Sequence, residues 1–333
     1  MSFAPVVIGI GSTVPDRVVT NEEFEQRMDT SDVWIRSRTG IVERRHAEPG
    51  TATSDLAVEA GRRALKSAGL DRVDALVLAT TTPDHPCPAT APSVASRLGF
   101  GGIPAYDVAA VCSGFLYGLA TGAGLLATGL AETVLVDAAE VFTSIIDPDD
   151  RGTAPIFGDG AGAVVLRAGD RSEPGAVLDF DLGSDGDLAE LIIVPAGGSR
   201  QKTSGQPLAD GDEFFKMQGT TVFRNAVTRM AQSSRAVLDK TGWTIDTIDM
   251  LIGHQANVRI LNAVALELGL PPDRAFVDVD RYGNTAAASI PLALADAAQR
   301  GVLVEEDRLV LTAFGGGASW GAVTMTWPDL IPG

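Results

Sequence analysis

The sequence lacks the patterns of a disulfide framework, a membrane span and a secretion signal. Only two of its 333 residues are cysteine, which excludes a disulfide scaffold. No apolar run of about 18 residues is free of charges and glycine breaks, so no transmembrane helix is expected. The amino terminus has no basic segment before its apolar residues, so no signal peptide is expected and a cytoplasmic location is predicted.

Positive charge is also scarce. The chain carries 43 acidic and 26 basic residues, a net charge of −17, which argues against general binding of nucleic acids. Lysine occurs only at Lys66, Lys202, Lys216 and Lys240, so most basic residues are arginines. An anionic substrate would therefore require arginines that are gathered locally.

Four segments of the first half recur in the second half in the same order. The matching pairs are 64–79 with 237–253, 95–99 with 265–269, 105–108 with 276–279, and 157–166 with 314–325. This repetition predicts two duplicated α/β halves, residues 1–172 and 173–333, each with a mostly parallel sheet covered by helices.

Local patterns predict several elements in the first half. Apolar runs predict strands over 6–12, 74–80, 105–109 and 133–139, and a turn into a strand over 157–167. A short helix is expected from Asn21, a longer one that is capped by Thr53 or Ser54 and ends before Gly69, and a third that reaches Leu98. The segment 29–45 shows no clean periodicity.

Cys112 lies where the predicted strand 105–109 gives way to a helix that contains Phe115 and Leu116. A thiol at a helix amino terminus lies near the positive end of the helix dipole and the free N–H groups of the first turn. Both stabilise a thiolate, so we expect the pKa of Cys112 to lie below the free value of about 8.5. The same N–H groups can bind the oxyanion of a thioester. A small structural core residue is the alternative interpretation.

Two further candidates lie in the second half. His254 directly follows an apolar segment, and Asn284 precedes a helix of small residues. The other histidines, His46 and His85, lie in loops, and His46 is expected to be solvated. A structural histidine is equally compatible with the position of His254, and a helix cap is the more common role for an isolated asparagine such as Asn284.

Taken together, the motifs DVAAVCSGF, GHQAN, RYGNTAAAS and AFGGGASWG resemble the beta-ketoacyl-acyl-carrier-protein synthase III family, and the resemblance covers essentially the whole chain. It implies a thiolase-type αβαβα fold of two duplicated halves and a homodimer. The implied reaction transfers a short acyl group from coenzyme A to a cysteine and condenses it decarboxylatively with malonyl-acyl-carrier protein. Coenzyme A thioester is then a substrate, and neither a metal nor another cofactor is expected. The pathway is fatty-acid initiation or polyketide priming.

The resemblance also assigns roles to residues that match its motifs. Cys112 matches the nucleophile, and His254 and Asn284 match the pair that binds the thioester oxygen of the extender unit. The backbone N–H groups of Cys112 and Gly316 match the oxyanion hole. The remaining matches are the coenzyme A contacts Trp34, Arg38, Arg151, Gly219 and Asn257, the acyl-pocket residues Cys87, Phe142, Phe157 and Phe314, and the carrier-protein contacts Arg224 and Arg259.

The chain departs from the family pattern at two places. Cys87 stands where some members place a large aromatic residue that closes the acyl pocket from the partner subunit, so starters larger than acetyl are expected. That wider pocket favours polyketide priming. Leu266 and Glu267 replace a lysine pair, which weakens the expectation that their helix binds the carrier protein.

Other reactions are separated by counting residues. A degradative thiolase needs a second cysteine near the carboxyl-terminal glycine-rich turn, which has none, and an elongating synthase needs two histidines in matching motifs. A Cys-His-Asn thioester hydrolase, an acyltransferase to a non-malonyl acceptor and a non-catalytic acyl-CoA-binding module stay open as alternatives.

Overall fold

The structure, a computed structural model, describes residues 2–333 and contains two main sheets with helices between and outside them. The strands are β1 Phe3–Thr13, β2 Val18–Thr20, β3 Glu43–Arg45, β4 Ala75–Ala79, β5 Ala105–Val108, β6 Thr133–Glu140, β7 Gly160–Asp170, β8 Val177–Ser184, β9 Ile192–Ile193, β10 Lys216–Met217, β11 Met250–Gly253, β12 Arg308–Gly315 and β13 Ser319–Thr326. The α-helices are α1 Asn21–Glu25, α2 Asp32–Thr39, α3 Thr53–Ala68, α4 Ala91–Arg97, α5 Gly114–Ala127, α6 Ser199–Thr203, α7 Gly219–Thr241, α8 Val258–Leu268, α9 Val279–Tyr282 and α10 Ser289–Gln299.

The two main sheets repeat one topology. The first has the order β1–β7–β6–β4–β5, in which the first two pairings are antiparallel and the last two are parallel. The second has the order β8–β13–β12–β11 with the same sequence of directions, and a parallel bridge from Leu251 to Ala275 takes the place of β5. The duplication that the repeated segments predict is therefore present in the strand order. The expectation of mostly parallel sheets is wrong, because two of the four pairings in the first sheet and two of the three in the second are antiparallel. The predicted boundary between residues 172 and 173 lies in the turn between β7 and β8 and stays a prediction.

Helices α5 and α10 form the middle layer and contact both sheets. Helices α3 and α4 cover the outer face of the first sheet, and α7, with α8 packed on it, covers the second. Glycine allows the middle layer to approach closely, because a Cβ at Gly118 or Gly122 would lie 3.0 Å from the side chain of Val136. The result is five layers of helix and sheet, with the amino ends of α5 and α10 in the centre.

The two central helices begin in the same way. A single 3-10 turn, Val111–Ser113, precedes α5, and a second one, Ala286–Ala288, precedes α10. The first residue of each turn is left-handed, with φ of 46° at Val111 and 48° at Ala286. Each is a sharp change of direction that we call an elbow, and each lies at the corresponding position of its half.

The predicted elements exist, but their details differ at four places. Helix α3 begins after Ala52, whose N–H donates to Asp55 Oδ2 at 2.8 Å, whereas Thr53 bonds away from the helix to the carbonyl of Thr82. Strand β5 ends at Val108, one residue early, and it is half-buried at the sheet edge. The segment without periodicity contains helix α2, and the expectation of a solvated His46 is wrong, since burial lowers the pKa of His46 to about 4.

Asp137 lies in the middle of β6 with both carboxyl oxygens buried and without a hydrogen-bond partner among residues 2–333. Burial raises the pKa of Asp137 well above its usual value because the ionised form loses its hydration. The carboxyl is therefore held in its neutral form by the fold.

We expect Asp137→Asn to reduce the pH dependence of stability. The pKa of Asp137 is raised on folding, so the free energy of unfolding falls as the pH rises from the unfolded-state value of about 3.9 towards the folded-state pKa. One proton contributes about 1.4 kcal/mol per pH unit over that window. Urea unfolding at a series of pH values above about 5 should show a smaller loss of stability with rising pH in the variant than in the wild-type protein. The exposed Asp71→Asn is the control, and equal slopes in both variants would contradict the assignment.

Candidate active site

Cys112 lies in the first elbow, at the amino end of α5, where the sequence predicts it. Its side chain is 7% exposed. The left-handed φ of Val111 is unfavourable for a β-branched residue, and such strain persists only where the surrounding structure enforces it. The packing around this turn therefore fixes the direction in which the thiol points.

The prediction of a lowered pKa for Cys112 is wrong for the unliganded protein. Burial, and to a smaller extent the nearby carboxyl of Glu140, together raise the pKa of Cys112 to about 12, against a hydrogen bond from the cysteine's own N–H. Loss of hydration thus outweighs the helix dipole. Since the thiolate is the nucleophile, the thiol has to lose its proton as the substrate arrives.

Glu140 itself is fully buried beneath the elbow, and sequence reasoning missed it. It accepts hydrogen bonds from the backbone N–H groups of Thr81 and Thr82 and from the Thr82 hydroxyl, at 3.0, 3.1 and 2.7 Å. Burial raises the pKa of Glu140 to about 7 in spite of these donors. Its charge near Cys112 therefore depends on pH in the neutral range.

His254 follows β11 and is 3% exposed. Its Nδ1 lies 2.6 Å from Ser289 Oγ, which also accepts the Gln255 N–H at 3.4 Å. When Ser289 donates its proton to Nδ1, the imidazole proton lies on Nε2. Burial lowers the pKa of His254 to about 3, so the ring is a neutral hydrogen-bond donor.

Asn284 is held by backbone bonds on both sides. Its N–H donates to Ile156 at 2.9 Å, and its C=O accepts from Gly158 at 3.0 Å. Its Oδ1 accepts the Ala286 N–H at 2.9 Å, a local cap of the second elbow. The side-chain oxygen of Asn284 therefore has a capping role, as the sequence allowed. The side-chain NH₂ group is left as a second neutral donor at the cavity, in addition to the His254 ring.

Cys112, His254 and Asn284 line one inner cavity of about 40 Å³. Of the predicted acyl-pocket residues, Phe157 and Phe314 form its wall, whereas Phe142 lies behind it and stacks on Phe157 with ring centres 4.6 Å apart. Cys87 is exposed and does not line this cavity within one chain. The remaining lining residues, which the sequence did not single out, are Ile192, Phe215, Met217, Val222, Ala226, Met230, Ala256 and Ile260.

A larger cavity of about 580 Å³ opens at the surface. It shares five lining residues with the inner cavity, so the two cavities adjoin, and together we call them the passage to Cys112; the shared residues are Met217, Val222, Ala256, Ile260 and Asn284. All predicted coenzyme A and carrier-protein contacts line its outer part, namely Trp34, Arg38, Arg151, Gly219, Arg224, Asn257 and Arg259. The arginines that an anionic substrate requires are therefore gathered at the mouth.

Arg151 and Trp34 already contact each other in the unliganded protein. The guanidinium lies 4.6 Å from the centre of the indole ring. A planar base between them needs about 7 Å, two van der Waals contacts. Arg151 and Trp34 can therefore hold a planar base of coenzyme A between them only if Arg151 moves away from Trp34.

The glycine-rich turn between β12 and β13 packs against the nucleophile. A Cβ at Gly315 would lie 2.7 Å from the backbone nitrogen of Cys112, so only glycine fits there. Gly316, the predicted second oxyanion donor, is the next residue of the same turn. Its donor role stays a prediction.

Besides Glu140, two residues that support the site, Ser289 and Phe215, were missed for different reasons. Ser289 is the last letter of the RYGNTAAAS motif, so its proximity to Asn284 in sequence was a usable signal. Phe215 comes from the irregular segment that joins the halves, and its ring packs edge-on against Phe142 and Phe157. Only the tertiary structure places it at the cavity.

Solved structures of similar proteins share this architecture. A 3-oxoacyl-acyl-carrier-protein synthase III from Pseudomonas aeruginosa matches with a TM-score of 0.93 and 48% identity, covering 99% of this chain and 100% of that one. The priming beta-ketosynthase of a polyketide pathway matches with a TM-score of 0.91 and 32% identity, covering 99% and 97%. The fold is the predicted thiolase-type αβαβα fold with two duplicated halves.

The sequence comparisons are more specific. Residues 106–186 match the family described as 3-oxoacyl-(acyl-carrier-protein) synthase III, and residues 238–327 match its C-terminal part. Beta-ketoacyl-acyl-carrier-protein synthase III 5 of Streptomyces coelicolor is 56% identical over 99% of both chains. The chain belongs to the ketoacyl-acyl-carrier-protein synthase III family, and it is an initiating condensing enzyme of the acyltransferase type. No helix within residues 2–333 is long and apolar enough to cross a membrane.

Proposed function

We propose that this enzyme loads a short acyl group from acyl-CoA onto Cys112 and condenses it with malonyl-acyl-carrier protein. The observation that carries the proposal is the passage from an arginine-rich mouth to a cavity that holds Cys112, His254 and Asn284. A thiol and two neutral donors at the end of one passage suit two thioesters that react in turn.

In the first half-reaction, Cys112 attacks the carbonyl carbon of acyl-CoA. The carbon–sulfur bond to coenzyme A breaks, coenzyme A leaves as the thiol, and the acyl group stays on Cys112 as a thioester. The N–H groups of Cys112 and Gly316 bind the oxyanion, and such donors are effective because they are already oriented in a buried site.

In the second half-reaction, the malonyl thioester oxygen accepts hydrogen bonds from His254 Nε2 and the Asn284 amide. The carboxylate leaves as carbon dioxide, and the electron pair becomes an enolate on that oxygen. The enolate carbon attacks the acyl-Cys112 carbonyl, the bond to Cys112 breaks with the sulfur leaving as thiolate, and uptake of one proton from solvent regenerates the thiol. Neutral donors fit this step because the pKa of His254, lowered to about 3, keeps the ring uncharged.

The charge distribution supports an acidic carrier protein as the partner. The chain is acidic overall, with a net charge of −17, yet the exposed residues Arg38, Arg224 and Arg259 lie around the mouth. This local positive rim attracts an acidic protein that delivers the malonyl group. Nucleic acids and membranes have no part in the proposal.

A homodimer belongs to the same proposal. Strand β5 is the edge of the first sheet and its residues are only half-buried, so its outer side can pair with a second copy. The loop 83–89, which contains Cys87, is largely exposed and follows the neighbouring strand β4.

Both cysteines are unpaired, which fits a reducing, cytoplasmic location.

We expect Cys87→Phe to shift starter preference towards acetyl. If Cys87 closes the acyl pocket of the partner subunit, its small side chain leaves room for propionyl to branched butyryl groups, and Phe overfills that room. One methylene in an apolar pocket is worth about 1–3 kcal/mol of discrimination. Competition between acetyl-CoA and isobutyryl-CoA measures the shift. A wild-type enzyme that strongly prefers acetyl, together with an unchanged variant, would remove Cys87 from the pocket.

Intact-mass measurement after incubation with a mixed panel of acyl-CoAs tests the proposed reaction directly. The wild-type enzyme should gain one acyl group and should release carbon dioxide when malonyl-acyl-carrier protein is added. Release of free acid without carbon dioxide would favour a hydrolase, and the absence of acylation would favour a binding module. The acyl masses retained also show which starter is used, and acetyl alone would favour fatty-acid initiation over polyketide priming.

A further inference from the structure

Two serines link the Cys112 elbow to the glycine-rich turn. Ser113 Oγ and Ser319 Oγ lie 2.6 Å apart, and the two residues are 0% and 7% exposed. Ser113 is the neighbour of the nucleophile, and Ser319 begins β13 directly after the turn. The pair bridges 206 positions in sequence and joins the two halves.

Both hydroxyls also bond to the backbone. Ser113 Oγ donates to the Ala110 carbonyl at 2.8 Å, and Ser319 Oγ lies 3.1 Å from both the Ala110 and the Gly316 carbonyl. Because Ser113 donates its single proton to the Ala110 carbonyl, the Ser319 hydroxyl supplies the proton between the two serines. This arrangement ties Ala110, the residue before the elbow, to Ser319 at the end of the turn that carries Gly316.

The turn needs such a tie because Gly315, Gly316 and Gly317 have no side chains that could fix their conformation. The elbow needs one because Val111 is held in a left-handed conformation. The passage to Cys112 does not include either serine, so neither contacts substrate within it.

We propose that Ser113 and Ser319 form a latch that holds the N–H groups of Cys112 and Gly316 in register as one oxyanion hole. They are positioning residues and act through these two backbone donors. The inference rests on the proposed function, since the hole matters only if a thioester is attacked at Cys112. Removal of the latch loosens the hole without changing the thiol or the His254–Asn284 pair.

The test compares Ser113→Ala, Ser319→Ala and the double variant with the wild-type enzyme. Acyl transfer from acyl-CoA to Cys112 should fall by about 10- to 100-fold in kcat, less than the roughly 10²–10³-fold loss of a whole oxyanion donor. The KM for acyl-CoA should stay unchanged. The double variant should be no slower than the slower single variant, because the two hydroxyls act as one unit. Ser319→Thr keeps a hydroxyl and should restore most of the rate.

Alkylation of Cys112 by iodoacetamide separates the latch from a general structural effect. Alkylation forms no oxyanion, so its rate should stay within about twofold while acyl transfer falls. Ser144→Ala is the matched control, because Ser144 is an exposed serine whose hydroxyl donates to the Val141 carbonyl at 2.6 Å outside the site. An unchanged acyl-transfer rate in both single variants, or a parallel fall of alkylation and acyl transfer, would overturn the latch. Failure of the wild-type enzyme to be acylated would instead overturn the proposed function.

Discussion

Replacement of Cys112 by alanine is expected to abolish acyl transfer from acyl-CoA, whereas Cys87→Ala should retain it. Of the residues that line the inner cavity, Cys112 is the one whose side chain can form a thioester with the acyl group, since the others are apolar or are His254 and Asn284. Cys87 is the matched control because it is the second free thiol and lies exposed outside the cavity. The expected loss is therefore complete.

Intact mass after incubation with acyl-CoA measures this loss without reference to turnover. The wild-type enzyme and Cys87→Ala should both gain one acyl group, and Cys112→Ala should gain none. An acyl adduct on Cys112→Ala would mean that another residue is the nucleophile. Because burial raises the pKa of Cys112 to about 12, acylation should also become faster as the pH rises, since more thiolate is then present.

Replacement of His254 or Asn284 by alanine should separate the two half-reactions. Each variant loses one donor to the extender oxygen, which lowers decarboxylation by roughly 10²–10³-fold, while self-acylation of Cys112 stays largely intact. Release of carbon dioxide from malonyl-acyl-carrier protein and acyl mass on Cys112 measure the two steps separately. The pKa of His254 is lowered to about 3, so the histidine stays neutral and its protonation should not limit decarboxylation above about pH 5.

The opposite outcome has a clear meaning. Equal loss of both half-reactions in both variants would show that His254 activates Cys112, as a hydrolase dyad does. His254→Gln is a useful companion, because it places a neutral amide donor on the same side of the cavity. It should lose less decarboxylation than His254→Ala if hydrogen-bond donation is the role of the ring.

The sequence carried the features that are local or repeated. The duplication, the positions of the main strands, the place of Cys112 and the motifs around His254 and Asn284 depend on periodicity and on short runs of residues, and the structure agrees with them. The prediction of a lowered pKa for Cys112 was wrong because the pKa depends on burial, which is set by residues from both halves. The place of Phe215 beside Phe142 could not be predicted either, because its segment has no periodic pattern that shows where the chain returns to the core.

The α2 helix shows a second kind of limit. Its residues show little amphipathic pattern, because only Ile35 and Thr39 are buried and the residues around them include the charged Arg36 and Arg38. Its ends are nevertheless set by local chemistry, since Ser31 accepts the Trp34 N–H at 3.1 Å and Gly40 is left-handed with φ of 81°. The helix positions Trp34 and Arg38 at the mouth, so end signals were more informative here than periodicity.

The second elbow shows which features of the first elbow depend on its cysteine. In the duplicated half, Ala286 repeats the left-handed φ of Val111, and Ala287 occupies the position of Cys112. A Cβ at Gly114 would lie 3.2 Å from the Ala287 methyl, so the two elbows meet at the centre of the molecule. The elbow therefore forms without a thiol. The second elbow, which carries no nucleophile, leads into α10, where Ser289 contacts and orients His254. The two duplicated elbows thus serve different purposes: the first carries Cys112, and the second leads into the helix that orients His254.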